Sequence, residues 1–297
     1  MADRFWIDVF VQLGRRLESF GRDECSRHVI TQALVDNPWF TEHDILFAVN
    51  AIREQMLNEG KLSRWIANYG EAGDRSLPFP SPRPASSGCT LGIIMAGNIP
   101  LVGFADLLYG LICGYECHVK TSSKDTALMS YMIDLIEDIS DDIHVGRTIN
   151  ATPDALIATG SDETVRTLRG LYPGGRALFR GTRLSIAVLS GNETDVELRL
   201  LADDIFTYCG LGCRNVSLLF VPEGFDMQHA AGVFKTYEPV RPAYRNNYLQ
   251  NRAVGMMESP QGVVDGGFFT LVPCNYFPLY ISIINYITYT NLEQIDS

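Results

Sequence analysis

The tightest constraint on the fold is a rhythm that begins at Leu91. Leu91–Ala96 (LGIIMA) is an uncharged run of the kind that is buried on both faces of a sheet. The turn Gly97-Asn98-Ile99-Pro100 follows. Pro100 is expected in the first turn of a helix that runs through Phe104, Leu107, Leu108 and Leu111 and ends at Gly114. Glu116–Lys120 reads as a second strand. Ser123–Asp125 read as the cap of a helix whose buried face is Leu128, Met132, Leu135, Ile136 and Ile139. Ala155–Ala158 is a third strand, and Thr159-Gly160-Ser161 leads into a helix carrying Val165, Leu168 and Leu171. Arg176–Phe179 and Leu184–Leu189 are further strands. This alternation predicts an α/β fold, a parallel sheet with helices on its faces.

The flanks differ in kind. Residues 1 to about 75 read as helices, with one apolar stripe from Phe5, Val9, Phe10, Leu13 and Leu17 and another from Ile45, Val49, Ile52, Met56 and Leu57. Ser76–Gly88 (SLPFPSPRPASSG) reads as an extended linker, because its prolines disfavour helix. The expected organisation is a helical N-terminal region over 1–76, a nucleotide cofactor-binding domain over 77–185 and a catalytic domain over 186–297. Near the end, Phe268–Tyr289 carries no charge and is long enough to span a bilayer. Pro273 and Pro278 interrupt it, and Asn275 and Asn285 dilute it. Alternation of Leu279, Ile281 and Ile283 with Tyr280 and Ser282 reads as a strand, so no membrane span is expected.

Charge and cysteine usage narrow the function. A net charge of -11 argues against general nucleic-acid binding. Seven cysteines at irregular spacing, without a CxxC pair, make no disulfide framework and fit a reducing compartment. The start MADRFWIDVF has no basic leader before an apolar core, so the expected location is cytoplasmic. The five histidines stand at no metal-ligand spacing, and no metal is expected.

Candidate chemistry gathers at a few points. Leu198, Leu201, Ile205 and Tyr208 recur at helical spacing, the helix stops at Gly210 and Gly212, and Leu218–Val221 is a short buried strand. Cys213 lies in the glycine-opened loop between them, a setting that suits a covalent nucleophile. A small buried hydrophobe is the competing reading for any single cysteine. Three strand ends carry small polar residues: Gly97-Asn98, Lys120-Thr121-Ser122-Ser123 and Thr159-Gly160-Ser161. Ligands of parallel sheets bind at such ends, and a following helix favours phosphate there. GxGxxG and GxxxxGKS/T are both absent.

In order and approximate spacing, Asn98 in AGNIP, Lys120 in VKTSS, Thr159-Gly160-Ser161 and Gly210-Leu211-Gly212-Cys213 resemble the aldehyde dehydrogenase superfamily. The segments GIIMAGNIPLVGF, VKTSSKD, LFRGTRLSIAVLSG and YCGLGCRNVS resemble its acyl-CoA reductase branch, the LuxC-like long-chain acyl-CoA reductases. The resemblance runs from about Leu77 to the C-terminus. It implies that Cys213 attacks an acyl-CoA thioester, and that the Asn98 amide and the Cys213 backbone N–H hold the oxyanion. It further implies that Lys120, Ser122 and Ser123 meet the adenine ribose, and that Thr159, Gly160 and Ser161 lie near the cofactor phosphates. Hydride from NADPH would then release an aldehyde.

Two departures bear on that activity. Oxidising members carry a general-base glutamate in ELGG, where this chain reads Val188-Leu189-Ser190-Gly191-Asn192. Loss of a water-activating base suits reduction of a thioester. Glu193 and Glu197 stand nearby and read as a solvated helix start. Relatives also continue beyond the strand after Pro278, so the chain reads as C-terminally truncated. The alternatives are a non-catalytic acyl- or nucleotide-binding relative and a reductase acting on an acyl phosphate. A homo-oligomer and an acyl-transfer partner protein remain open. NADPH is expected over NADH because Ser123 stands where NAD-specific relatives carry a glutamate.

Overall fold

The computed structural model describes residues 2–71, 88–149, 152–173, 175–237, 241–258, 261–278 and 280–295. It divides into two compact units, Met1–Thr182 and Arg183–Ser297.

The first unit opens with four helices: α1 Ala2–Arg16, α2 Glu24–Asp36, α3 Glu42–Gln55 and α4 Glu59–Glu71. Local chemistry sets their starts. The Asp23 carboxylate accepts the Ser26 amide at 2.8 Å, and Thr41 and Asp44 form a reciprocal capping box at α3. Then come β1 Thr90–Ile94, α5 Phe104–Ile112, β2 Glu116–Lys120, α6 Thr126–Glu137, β3 Ala155–Thr159, α7 Asp162–Leu171 and β4 Arg176–Arg180. The sheet order is β2-β1-β3-β4, and every pairing is parallel. The parallel sheet expected from the alternation is therefore present. Phe10, Leu13 and Ile45 from the N-terminal helices share one core with Ile93, Leu107, Val119 and Ile133. Gly88 aside, the proline-rich stretch Ser76–Gly88 lies outside the described residues.

Two helix starts differ from expectation. Pro100 lies in a turn, and α5 begins only at Phe104, because Leu101 adopts a left-handed conformation with φ 57°. That conformation costs a leucine about 1–2 kcal/mol. Asp125 occupies the N-cap position of α6, but its side chain makes no capping bond to that helix. In α7 the apolar stripe is thinner than its spacing implies: Val165 is buried and Leu171 is exposed.

The second unit holds β5 Ser185–Val188, α8 Asp195–Phe206, β6 Val216–Pro222, α9 Met227–Phe234, α10 Pro242–Glu258, β7 Val264–Asp265, β8 Thr270–Pro273 and β9 Ile283–Tyr289. Its sheet order is β5-β6-β9-β8-β7, parallel except for the antiparallel β7–β8 pair. Phe206, Phe234, Phe268 and Phe269 form an aromatic core with ring centroids 4.9–6.3 Å apart. The last strand begins later than its alternation suggests. Ile281 and Ser282 form a turn, Ser282 is left-handed with φ 71°, and the Ser282 carbonyl accepts the Thr270 amide at 2.8 Å. Leu279 lies outside the described residues. Among the described residues no helix is long and apolar enough to cross a membrane, and the uncharged C-terminal stretch supplies β8 and β9 instead.

Candidate active site

In the first unit the candidate residues stand at the carboxyl edge of the parallel sheet. Pairing continues past β1, where the Met95 amide donates to the Lys120 carbonyl at 3.0 Å. The chain then turns through Gly97 and the half-buried Asn98. Gly97 is needed for close approach: a Cβ there would lie 2.6 Å from Ser122 Cβ and Oγ and 3.2 Å from Asp125 Cβ. Asn37, just past α2, donates from Nδ2 to the Gly97 carbonyl at 3.2 Å. Asp125 Oδ2 accepts the Leu101 amide at 2.8 Å. Asn37 and Asp125 are both buried. Burial pushes the Asp125 carboxyl up to about 8, against a smaller opposing pull from the Leu101 amide.

The expected cofactor residues line the same edge. Lys120 and Ser123 are exposed, and Ser122 Oγ accepts the Lys124 amide at 3.3 Å. At the end of β3, the Thr159 hydroxyl is buried without a hydrogen-bond partner, as is Asp125 Oδ1. Orphaned polar atoms on a glycine-lined strand edge fit a polar ligand such as a nicotinamide dinucleotide. The Gly160 amide donates to the Arg180 carbonyl at 3.1 Å. Ser161 caps α7, its Oγ accepting the Thr164 amide at 3.2 Å. Asp162 and Glu163 follow in the first turn and disfavour a phosphate on that terminus. In contrast, the first turn of α6 carries no acidic residue and no side-chain cap. Arg180 Nη1 grips both oxygens of Asp106, at 2.6 and 2.8 Å, and ties the start of α5 to the end of β4.

In the second unit Cys213 is exposed, in the loop between α8 and β6. The chain enters that loop through a left-handed turn, with φ 52° at Tyr208, 59° at Cys209 and 71° at Gly210. Two of these are side-chain-bearing residues, which avoid that region. Asn215 fastens the loop: its Oδ1 accepts the Gly212 amide at 2.8 Å, and its Nδ2 donates to the Asp204 carbonyl of α8 at 2.8 Å. Cys213 therefore projects from a loop pinned on both sides. Cys209, the neighbouring thiol, is buried.

The two carboxylates near Ser190 are committed to the backbone. Glu193 accepts the Ser190 amide at 2.5 Å, the Ser190 hydroxyl at 2.9 Å and the Gly191 amide at 3.0 Å. Partial burial raises its pKa, but these bonds hold it below the usual carboxylate value. Glu197 completes a capping box with Thr194, whose amide and hydroxyl lower its pKa. The reading of this segment as a helix start agrees with that geometry, although its carboxylates are bonded rather than merely solvated.

The remaining candidates are structural. Cys117 is buried in β2, and burial pushes its thiol up. His118 pairs with Glu116, His144 with Glu137 and His229 with Asp195. Among the described residues no group of three or more His, Cys, Asp or Glu side chains could hold a metal.

The acyl-CoA reductase (LuxC) family model matches residues 85–231. That stretch contains the Asn98 turn, the three strand ends and Cys213. The chain is LuxC-like, with an aldehyde dehydrogenase fold. It is 24% identical over 188 residues to long-chain acyl-protein thioester reductase 2 of Photobacterium leiognathi, covering 56% of this chain and 39% of that one. It is 28% identical over 140 residues to the long-chain acyl-protein thioester reductase of Aliivibrio fischeri, covering 40% and 29%. These alignments span less than half the length of either relative. Among solved structures, the aldehyde dehydrogenase KauB of Pseudomonas aeruginosa superposes with a TM-score of 0.70 at 16% identity, over 99% of this chain and 69% of that one. A NAD-dependent benzaldehyde dehydrogenase of Corynebacterium glutamicum superposes with a TM-score of 0.69 at 11% identity, over 99% and 73%.

This LuxC-like chain also uses residues that its motifs do not single out. Asn37, Asp125 and Asn215 each fix a loop carrying a candidate residue. Asn215 stands two residues after Cys213, within reach of a local reading. Asn37 is 60 residues from Gly97, and no local pattern joins them.

Asp125 makes a pH prediction. Its folded pKa of about 8 exceeds its unfolded value of 3.8, so the folded chain holds a proton that the unfolded chain has lost. Stability from this group is full below the unfolded value and falls as pH rises towards 8. The Asp125→Asn variant lacks that fall. Thermal unfolding across pH 4 to 8 should show the variant gaining on the wild type as pH rises; a gap that stays constant contradicts the prediction.

Proposed function

We propose that this chain is a thioester reductase that takes a long-chain acyl group onto Cys213 and releases it as the aldehyde, with NADPH as reductant. The observation that carries the reading is the exposed Cys213 on its Asn215-pinned loop, with Glu193 engaged by the Ser190–Gly191 turn and Glu197 by its capping box. Two named thioester reductases among the relatives support the reaction class.

Cys213 Sγ, as the thiolate, adds to the thioester carbonyl carbon. The Cys213 amide would donate to the resulting oxyanion, the role that the resemblance to aldehyde dehydrogenases also gives to the Asn98 side chain. Collapse breaks the bond to the departing thiolate, coenzyme A or a protein thiol, and leaves the acyl group on Cys213. The hydrogen bonds that engage Glu193 and Glu197 keep both from activating water, so the acyl-enzyme survives until reduction. When bound, NADPH supplies the hydride. Lys120, Ser122 and Ser123 would hold its adenine ribose, and Thr159, Gly160 and Ser161 would line its groove. A glutamate at position 123 would repel a 2′-phosphate by a few kcal/mol, on the order of 332/(εr) with an effective ε of about 20. Ser123 carries no such charge, and Lys120 and Lys124 stand exposed on the same loop.

Intact-mass measurement after mixing with a long-chain acyl-CoA should show one acyl adduct that disappears on adding NADPH. Cys213→Ala should abolish the adduct and Cys209→Ala should leave most of it. No adduct in the wild type would favour a binding protein. An adduct from acyl phosphate alone would favour the other reductase class.

Cofactor choice is tested by binding titration. Wild type should bind NADPH more tightly than NADH, and Ser123→Glu should lose NADPH affinity selectively. Equal wild-type affinities would remove this loop from recognition of the 2′-phosphate.

A further inference from the structure

Asn98 lies between two anchored residues. On one side, the Gly97 carbonyl accepts from Asn37 Nδ2 at 3.2 Å. On the other, the Leu101 amide donates to Asp125 Oδ2 at 2.8 Å. Neither anchor is a loose surface contact. Asn37 is 2% exposed and Asp125 is 1% exposed. The Asn37 side chain is itself fixed, because its Oδ1 accepts the Trp39 amide at 3.0 Å. Asp125 stands at the N-cap of α6 yet offers that helix no side-chain bond. An aspartate at that position usually accepts from its own helix amides. Here it reaches across 24 residues to Leu101, and one of its oxygens stays buried without a partner.

The segment it holds is strained. Leu101 is buried, with φ 57°, where a leucine is disfavoured. An unrestrained chain would relax towards the helical turn that Pro100 favours, and Asn98 would turn with it. A strained backbone persists only when its surroundings over-determine it, and such strain gathers at functional sites.

We propose that Asn37 and Asp125 are positioning residues for Asn98, clamping the Gly97–Leu101 turn so that the Asn98 amide is set before substrate arrives. The proposal rests on the reading of Asn98 as the oxyanion donor. It gives the N-terminal helices a part in the chemistry. Asn37 lies outside the stretch that the family model matches, yet it fixes the turn on which that stretch depends.

Single-turnover acylation of Cys213 by a long-chain acyl-CoA, read by quench and intact mass, tests the clamp. Asn37→Ala and Asp125→Ala should each slow acylation about tenfold, the size expected when a donor in an oxyanion site is displaced rather than removed. Asp125→Asn should stay within about threefold of wild type, because its amide oxygen can still accept the Leu101 amide. NADPH affinity should be unchanged in Asn37→Ala. The deciding comparison is made in the Asn98→Ala background, where adding Asn37→Ala or Asp125→Ala should cost nothing further. Additive losses there would mean that the two residues act on general stability, and would overturn the proposal. An Asn98→Ala protein that acylates at the wild-type rate would instead sink the oxyanion reading itself, and the clamp with it. Should Asp125→Ala not fold, Asn37→Ala carries the same comparison.

Discussion

A buried carboxylate holds a left-handed leucine in the loop after β1, an inner strand of the first sheet, and the geometry of the Asn98 turn depends on it. Asp125 is almost wholly removed from water, and burial pushes its carboxyl up to about 8. Burying such a group without full pairing is unfavourable. The chain tolerates it at a turn that must not relax into helix. Gly97 completes the arrangement by letting the turn lie against Ser122 with no room for a side chain. Asn37 closes it from the N-terminal helices.

The second unit solves a similar problem by different means. Cys213 needs to be reachable by a substrate, so it cannot be fixed by burial. Its loop is fixed through the backbone instead. A left-handed turn over Tyr208, Cys209 and Gly210 leads in, and Asn215 bonds both the Gly212 amide and the Asp204 carbonyl. The thiol is exposed while the loop beneath it is held. Both candidate loops thus combine disfavoured backbone angles with amide or carboxylate side chains that hold them.

The α/β architecture was legible because β1, β3 and β6 are short uncharged runs and the helices between the strands show their stripes. The parallel pairings of β1 with β2 and β3 follow from that alternation. The loop that carries Cys213 and the helix start after Glu193 were legible for local reasons, although the bonds that Glu193 and Glu197 make were not. What sequence could not show is non-local. Nothing near Pro100 reveals that Leu101 is left-handed, because the bond that holds it comes from Asp125. Nothing near Asp125 reveals that its carboxylate serves Leu101 rather than its own helix. In the same way, a left-handed Ser282 stands just before the last strand, which starts at Ile283 against an alternation that starts earlier. Single-residue backbone states set by distant partners are the common cause.

Covalent capture by Cys213 is the central claim, and mapping the acyl group tests it most directly. Wild-type protein would be acylated with a long-chain acyl-CoA before NADPH is added, digested, and sequenced by tandem mass spectrometry. The claim predicts the acyl mass on Cys213, with Cys209 and Cys274 unmodified. An acyl group carried instead on Cys209, Cys274 or a lysine would contradict it.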